Sequence, residues 1–205
     1  MQLIGILNSP FVRRVAISLK YYGIPFEHYP LSTFDNFDTI FAINSVAKIP
    51  TLILDNGDIL LDSSLILEYF EAQMPTAQKL QPSNPIELAN SLRIIGLALV
   101  GCEKTVQLVY ECKKRPKDKQ YEALIDRVTK QINGAFTALE KELTSQSFKV
   151  TNDSINQATI TLAVAWTFNQ KVMPQLLDKN SFPNLTAVTN ELEKLPIFMD
   201  TQVKA

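Results

Sequence analysis

Apolar and polar positions change rhythm along this chain. The run QLIGIL at 2–7 is a short apolar stretch of the kind a buried strand shows. After it, Val12, Val15, Ala16 and Leu19 recur at three- and four-residue spacing until Gly23, which predicts a helix and its stop. IPFEHYPL reads as a second strand and DNFDTIFAIN as a short helix. PTLILDNGDILLD reads as two strands joined by the turn Asn56-Gly57, a strong hairpin signal, and SSLILEYFEAQM as an amphipathic helix. The predicted order βαβαββα mixes a parallel crossover with a terminal hairpin, as an α/β layer does when helices cover a sheet.

Beyond that point no strand pattern recurs. Residues 75–85 hold three prolines and little apolar content, which predicts a linker at 77–84. Helical spacing is clearest where Tyr121, Leu124, Val128, Ile132, Ala135, Leu139 and Leu143 form one stripe. A further helix is expected in DSINQATITLAVAWTF, where Ser154 and Gln157 have the spacing of a capping box and Trp166 is expected inside the bundle. The pattern predicts an α/β domain over 1–76, a linker over 77–84 and an all-helical domain over 85–205.

Composition narrows the function classes. The 205 residues carry 20 basic and 21 acidic side chains, a formal net charge of -1, so there is no basic excess to bind phosphate backbones. The cluster KKRPKDK at 113–119 is short, and nucleic acid is not an expected partner. The N-terminus lacks a cationic leader, and no run approaches the roughly 18 apolar residues of a membrane span. A soluble cytoplasmic protein without membrane partners is expected. Cys102 and Cys112 fall in one expected helix, ~15 Å apart, too far to pair, and are expected as buried reduced thiols. The single histidine, His28, has no clustered partners at ligand spacing, so neither a metal site nor a histidine-based triad is expected.

Three places carry candidate chemistry. Ser9 and Pro10 read as the N-cap and first residue of a helix. The same geometry serves an anion, because a hydroxyl beside a helix N-terminus donates to a charge that the dipole also favours. Ile49-Pro50 reads either as a trans proline opening an edge strand or as a bend that leaves Ile49 unpaired for a peptide-like ligand. Asp62 and Ser63 stand at a strand-to-helix junction, as a cap or as holders of a ligand ammonium and carboxylate.

In this combination SPFVRRV, KIPTL and LDSSLILEYF resemble the serine-type helix start, the cis-proline strand and the Glu/Asp-Ser loop of the cytosolic glutathione transferases, the tau-, zeta- and theta-like members in particular. DSINQATITLAVAW and FPNLTAVTNELEKLPIFMDT are similar to that family's capping segment and C-terminal ending, so the resemblance covers nearly the whole chain. It implies a thioredoxin-like domain followed by a helical domain, a homodimer, glutathione as co-substrate with no other cofactor, and a small hydrophobic electrophile. Under the resemblance Ser9 stabilises the glutathione thiolate, Ile49 pairs with the cysteinyl backbone, Pro50 is cis, and Asp62 and Ser63 hold the γ-glutamyl group.

Departures from the family pattern matter too. Serine at position 9 argues against thiol-disulfide chemistry, which needs a sulfur there. The lysine that tau-like members place after the second strand is missing from LSTFDN, which leaves Lys48 as the expected cation for the glycyl carboxylate. Gln157 stands where the family's capping segment usually has aspartate. Phe11, Val106 and Tyr110 are the expected electrophile-pocket residues. The expected activity is conjugation of glutathione to that electrophile. The alternatives are a non-catalytic interaction module like the stringent starvation proteins, or glutathione-dependent isomerisation, dehalogenation or peroxide reduction.

Overall fold

The structure, a computed structural model, describes residues 1–145 and 155–202. The chain divides into two compact units, Met1–Gln81 with Lys194–Ala205, and Pro82–Glu193.

In the first unit β1 (Gln2–Ile4), β2 (Glu27–Tyr29), β3 (Thr51–Ile53) and β4 (Ile59–Leu61) form one sheet in the order β2-β1-β3-β4. β1 runs parallel to β2, while β1 with β3 and β3 with β4 are antiparallel. With α1 (Pro10–Tyr21), α2 (Phe37–Ile43) and α3 (Ser63–Glu71), the order is the expected βαβαββα. Successive strand residues point to opposite faces, so Leu3 joins Val12, Val15 and Leu19 of α1 and Ile66 and Phe70 of α3. Ile4 packs on the other face with Ile40 of α2 and Ala47. Each such side chain, fully buried, contributes about 1.5–3 kcal/mol. The hairpin closes at Asn56-Gly57, where Gly57 adopts φ +88° and its amide donates to the Leu54 carbonyl at 3.0 Å.

The second unit holds α4 (Pro85–Val109), α5 (Glu122–Ser145), α6 (Gln157–Val172) and α7 (Pro183–Leu192). α4 packs on α5 and α6, and α7 packs on the same two helices. Trp166 is 3% exposed and lies between Phe136 and Phe182, inside the bundle as expected. The α5 stripe is buried from Val128 to Leu143, but Tyr121 precedes the helix and is exposed. The capping box on α6 is also shifted. Asn156 accepts from the Thr159 amide while the Thr159 hydroxyl accepts from the Asn156 amide, and Ser154 lies outside the described residues. Glu140 of α5 supplies the missing cap of α7, accepting from the Asn184 and Leu185 amides at 2.9 Å.

Three expectations about composition change. Pro85–Lys114 is long and apolar enough to cross a membrane by length and composition alone, although no such run was expected; α4 within it packs on α5 and α6. α4 ends in a π-helical turn, Tyr110–Lys114, so Cys112 sits on that turn and is only half-buried, whereas Cys102 is buried in α4. Burial and the Glu111 carboxylate push the Cys112 thiol up, away from a reactive thiolate. The linker is also less plain than its composition implies. Leu80 is buried, and Glu71 of α3 accepts from the Leu80 and Gln81 amides and from the Tyr22 hydroxyl. Burial and Glu71 raise the Tyr22 phenol, so it stays the donor.

Residues 194–205, expected with the helical domain, group instead with the first unit. The cause is Arg13, a charged residue on α1 that is 2% exposed. Its guanidinium donates to the carbonyls of Thr201 at 3.0 Å and Phe198 at 3.3 Å and stands over the Phe198 ring, which ties α8 (Pro196–Met199) to α1. A buried charge must find such partners.

The first unit also has one point of very close approach. Gly5, just after β1, has φ +135°, and a Cβ there would lie 2.5 Å from Val12 Cγ2 and 3.0 Å from Ile49 Cβ. Gly5→Ala is therefore expected to destabilise the protein by about 1–3 kcal/mol, the usual range for overpacking a tight core. A thermal melt checks this, and an unchanged midpoint would contradict the packing described.

Candidate functional site

The loop from Gly5 to Ser9 delivers the chain from β1 to α1. Ser9 occupies the N-cap position, with its amide donating to the Ile6 carbonyl at 3.0 Å and its carbonyl accepting from the Arg13 amide at 3.0 Å. Its hydroxyl makes no capping hydrogen bond, contrary to the ordinary N-cap reading. Pro10 suits the first helical position, since its fixed φ is already helical and it has no amide to satisfy. The half-buried hydroxyl thus stands at a positive helix end with its oxygen not engaged by a helix amide.

A second loop presents Lys48 and Ile49. The Ile49-Pro50 bond is cis, and β3 is an interior strand, so the edge-strand reading of Pro50 does not hold. Pairing with β1 begins only at Thr51, which leaves the Ile49 peptide groups outside the ladder. Asn44 holds this loop from within. Its side chain donates to the Lys48 carbonyl at 3.2 Å and the Thr51 hydroxyl at 2.7 Å, and accepts from the Val46 and Lys48 amides. Sequence reasoning missed Asn44, because an asparagine ahead of a serine reads as an ordinary turn residue.

The third segment is the N-terminus of α3. Asp62 is its N-cap, with φ +69°, a conformation that costs a non-glycine residue about 1–3 kcal/mol and that persists where surrounding bonds enforce it. One Asp62 oxygen accepts from the Ser64 amide at 2.9 Å and the other from the Lys48 ammonium at 3.0 Å. Burial pushes the Asp62 carboxyl up, but the Ser64 amide, Lys48 and Arg14 outweigh it and hold it below the ordinary value. Lys48 is thus already paired in this state, where the sequence suggested a cation awaiting a carboxylate.

Arg14 is the other residue that sequence reasoning missed. It is 2% exposed and donates to the Ser63 and Ser64 hydroxyls, both at 3.2 Å. Ser63 is itself buried. Arg13 and Arg14 fall off the stripe of Val12, Val15, Ala16 and Leu19, so the local pattern does not mark Arg14 as buried. Arg14 joins α1 to α3, Lys48 joins the cis-proline loop to α3, and Gly5 brings the Ser9 loop against Ile49. Ser9, Lys48, Ile49, Pro50, Asp62 and Ser63 therefore belong to three segments that touch one another.

The remaining site residues fall in different units. Phe11 is half-buried on α1 of the first unit. Val106 is half-buried on α4 of the second unit, and Tyr110, on the π turn that follows, is 48% exposed. Among the described residues no group of three or more His, Cys, Asp or Glu side chains could hold a metal.

This arrangement suits a ligand with a thiol or other soft anion, a peptide backbone and an ammonium. Residues 3–79 match the family model for the glutathione S-transferase N-terminal domain, and residues 102–196 the model for its C-terminal domain. The chain is similar to an uncharacterized GST-like protein, YibF, of Escherichia coli K12, 32% identical over 165 residues that make up 80% of each chain. It is 27% identical over 148 residues to glutathione S-transferase U6 of Arabidopsis thaliana, covering 72% of this chain and 62% of that one. Among solved structures, a glutathione S-transferase of Methylobacterium radiotolerans in complex with glutathione sulfonate superposes with a TM-score of 0.89 at 25% identity, covering 100% of this chain and 97% of the other.

The electrostatics of Asp62 can be checked directly. Because its carboxyl is held low in the folded state, its contribution to stability is present above the unfolded value near 3.9 and is lost as pH falls through the folded value. Carboxyl NMR should place its titration below 3.8 in the wild type and move it upward in Lys48→Met. A titration unmoved by that substitution would contradict the pairing.

Proposed function

The chain belongs to the glutathione S-transferase family, and on that premise we propose that it binds glutathione on its first unit and conjugates it to small hydrophobic electrophiles. The observation that carries the reading is the Ser9 hydroxyl, which sits at the start of α1 without a capping bond. It donates to the glutathione sulfur. A free thiol with pKa near 8.5 is mostly protonated at neutral pH, so a donor and a helix dipole aimed at the sulfur raise the thiolate fraction. The thiolate then forms a bond to an electrophilic carbon, whose leaving group departs with its electron pair.

The rest of the tripeptide follows from the same three segments. The free peptide groups of Ile49 pair with the cysteinyl backbone as an added strand residue. Asp62 takes the γ-glutamyl ammonium, and Ser63 takes its carboxylate at the α3 N-terminus. Lys48 exchanges Asp62 for the glycyl carboxylate. That exchange costs little, because both side chains are about half exposed and such pairs are worth about 0–1 kcal/mol. Arg14 orients the Ser63 and Ser64 hydroxyls and supports the charge on Asp62 from below.

We also propose a homodimer. Leu65 and Tyr69 lie one turn apart on α3 and are 61% and 42% exposed, and Leu92 and Val100 leave a second apolar stripe on α4. A second copy is the occupant this family reading suggests for those faces. Sedimentation should give a dimer for the wild type and a monomer for Leu65→Glu; a dimer in both would contradict the assignment of α3 to the interface.

The catalytic reading is tested by Ser9→Ala with glutathione and an activated aryl halide. Turnover is expected to fall roughly 10–100-fold, the equivalent of losing one hydrogen bond to a charged group. Glutathione affinity by calorimetry should stay within about threefold, since the other contacts remain. Equal turnover would remove Ser9 from the mechanism.

A further inference from the structure

A cavity of about 370 Å³ lies between α1, the segment 24–28 and the C-terminal residues 200–201, all within the first unit. Its size falls in the range of roughly 300–1,000 Å³ typical of small-molecule sites. It contains neither Ser9 nor any residue of the Ile49 and Asp62 segments, and meets the Ser9 loop only at Leu7. One wall is apolar, made by Leu7, Ala16, Ile24 and Phe26. Lys20 and Asp200 supply its charges, paired at 3.3 Å.

The two charges are not equivalent. The Lys20 side chain is 35% exposed and that of Asp200 is 62%, so the cation is the more sheltered partner and the carboxylate the more readily replaced. An exposed pair of this kind is worth about 0–1 kcal/mol, and a ligand carboxylate can take the place of Asp200 at little cost. We propose that this cavity is a second ligand site that takes a small apolar monocarboxylate, with its charged end on Lys20 and its hydrocarbon against Leu7, Ile24 and Phe26. The site is placed to be felt at Ser9. Leu7 precedes Ser9 by two residues, and His28, another lining residue, bonds through Nε2 to the Gly5 carbonyl at 2.7 Å.

Calorimetry on the full chain at neutral pH, with sodium hexanoate, hexylamine and hexan-1-ol as probes, decides the matter. Hexanoate is expected to bind in the millimolar range with or without saturating glutathione, and better than either uncharged or cationic probe. Its affinity should fall at least tenfold in Lys20→Met and rise severalfold in Asp200→Asn, which removes the competing carboxylate. Absence of hexanoate binding, its displacement by glutathione, equal or tighter binding of hexylamine or hexan-1-ol, or no change in either variant would each overturn the proposal. These heats are read without turnover, so the proposal stands or falls separately from the role of Ser9.

Discussion

At Gly5 three segments come closer than any side chain allows. The end of β1, the first turn of α1 and the residue before the cis proline meet there, with Val12 and Ile49 at distances that leave no room for a Cβ. Everything in the candidate cleft depends on this contact. It sets where the loop to Ser9 leaves the sheet, and it holds that loop against the peptide groups of Ile49. The amide of Gly5 donates to the Tyr29 carbonyl and its own carbonyl meets His28, so β2 grips it from both sides. Packing of this density transmits small shifts, which makes the glycine a positional constraint and not merely a turn.

Charge organises the other half of the cleft. Arg14 is buried among hydroxyls at the α3 N-terminus, and a buried guanidinium is costly without such partners. Asp62 answers it with a carboxylate kept ionised by the Ser64 amide, Lys48 and Arg14. The strained backbone of Asp62 is enforced by these bonds, and strain of this kind gathers at sites that hold ligands. Ser9 differs from all of them. Its neighbours are tied down, and its hydroxyl is not spent on the helix it begins.

Much of this was legible in the residues, and the losses have physical causes. The βαβαββα order followed from short apolar runs and three-to-four spacing, and the hairpin from Asn56-Gly57. The site segments were legible because helix starts and an X-Pro strand opening leave local marks. What lay beyond reach was whatever depends on long-range partners. Arg13 and Arg14 read as polar positions of an amphipathic helix, yet Arg13 pulls residues 198–201 onto α1 and Arg14 holds Ser63 and Ser64. Asn44 reads as a turn residue but organises a loop up to Thr51. The capping box moved from Ser154 and Gln157 to Asn156 and Thr159 because several polar residues in a row can each serve as the cap. Lys48 was recognised as a useful cation, but not that it would already be paired with Asp62.

The central claim is that the Ser9 hydroxyl lowers the pKa of a bound thiol. A spectroscopic titration of glutathione on the protein, following thiolate absorbance against pH, tests it without any electrophile. The wild type is predicted to titrate clearly below the free-thiol value of about 8.5, and Ser9→Ala to return toward it. Identical titrations for the two proteins would contradict the account.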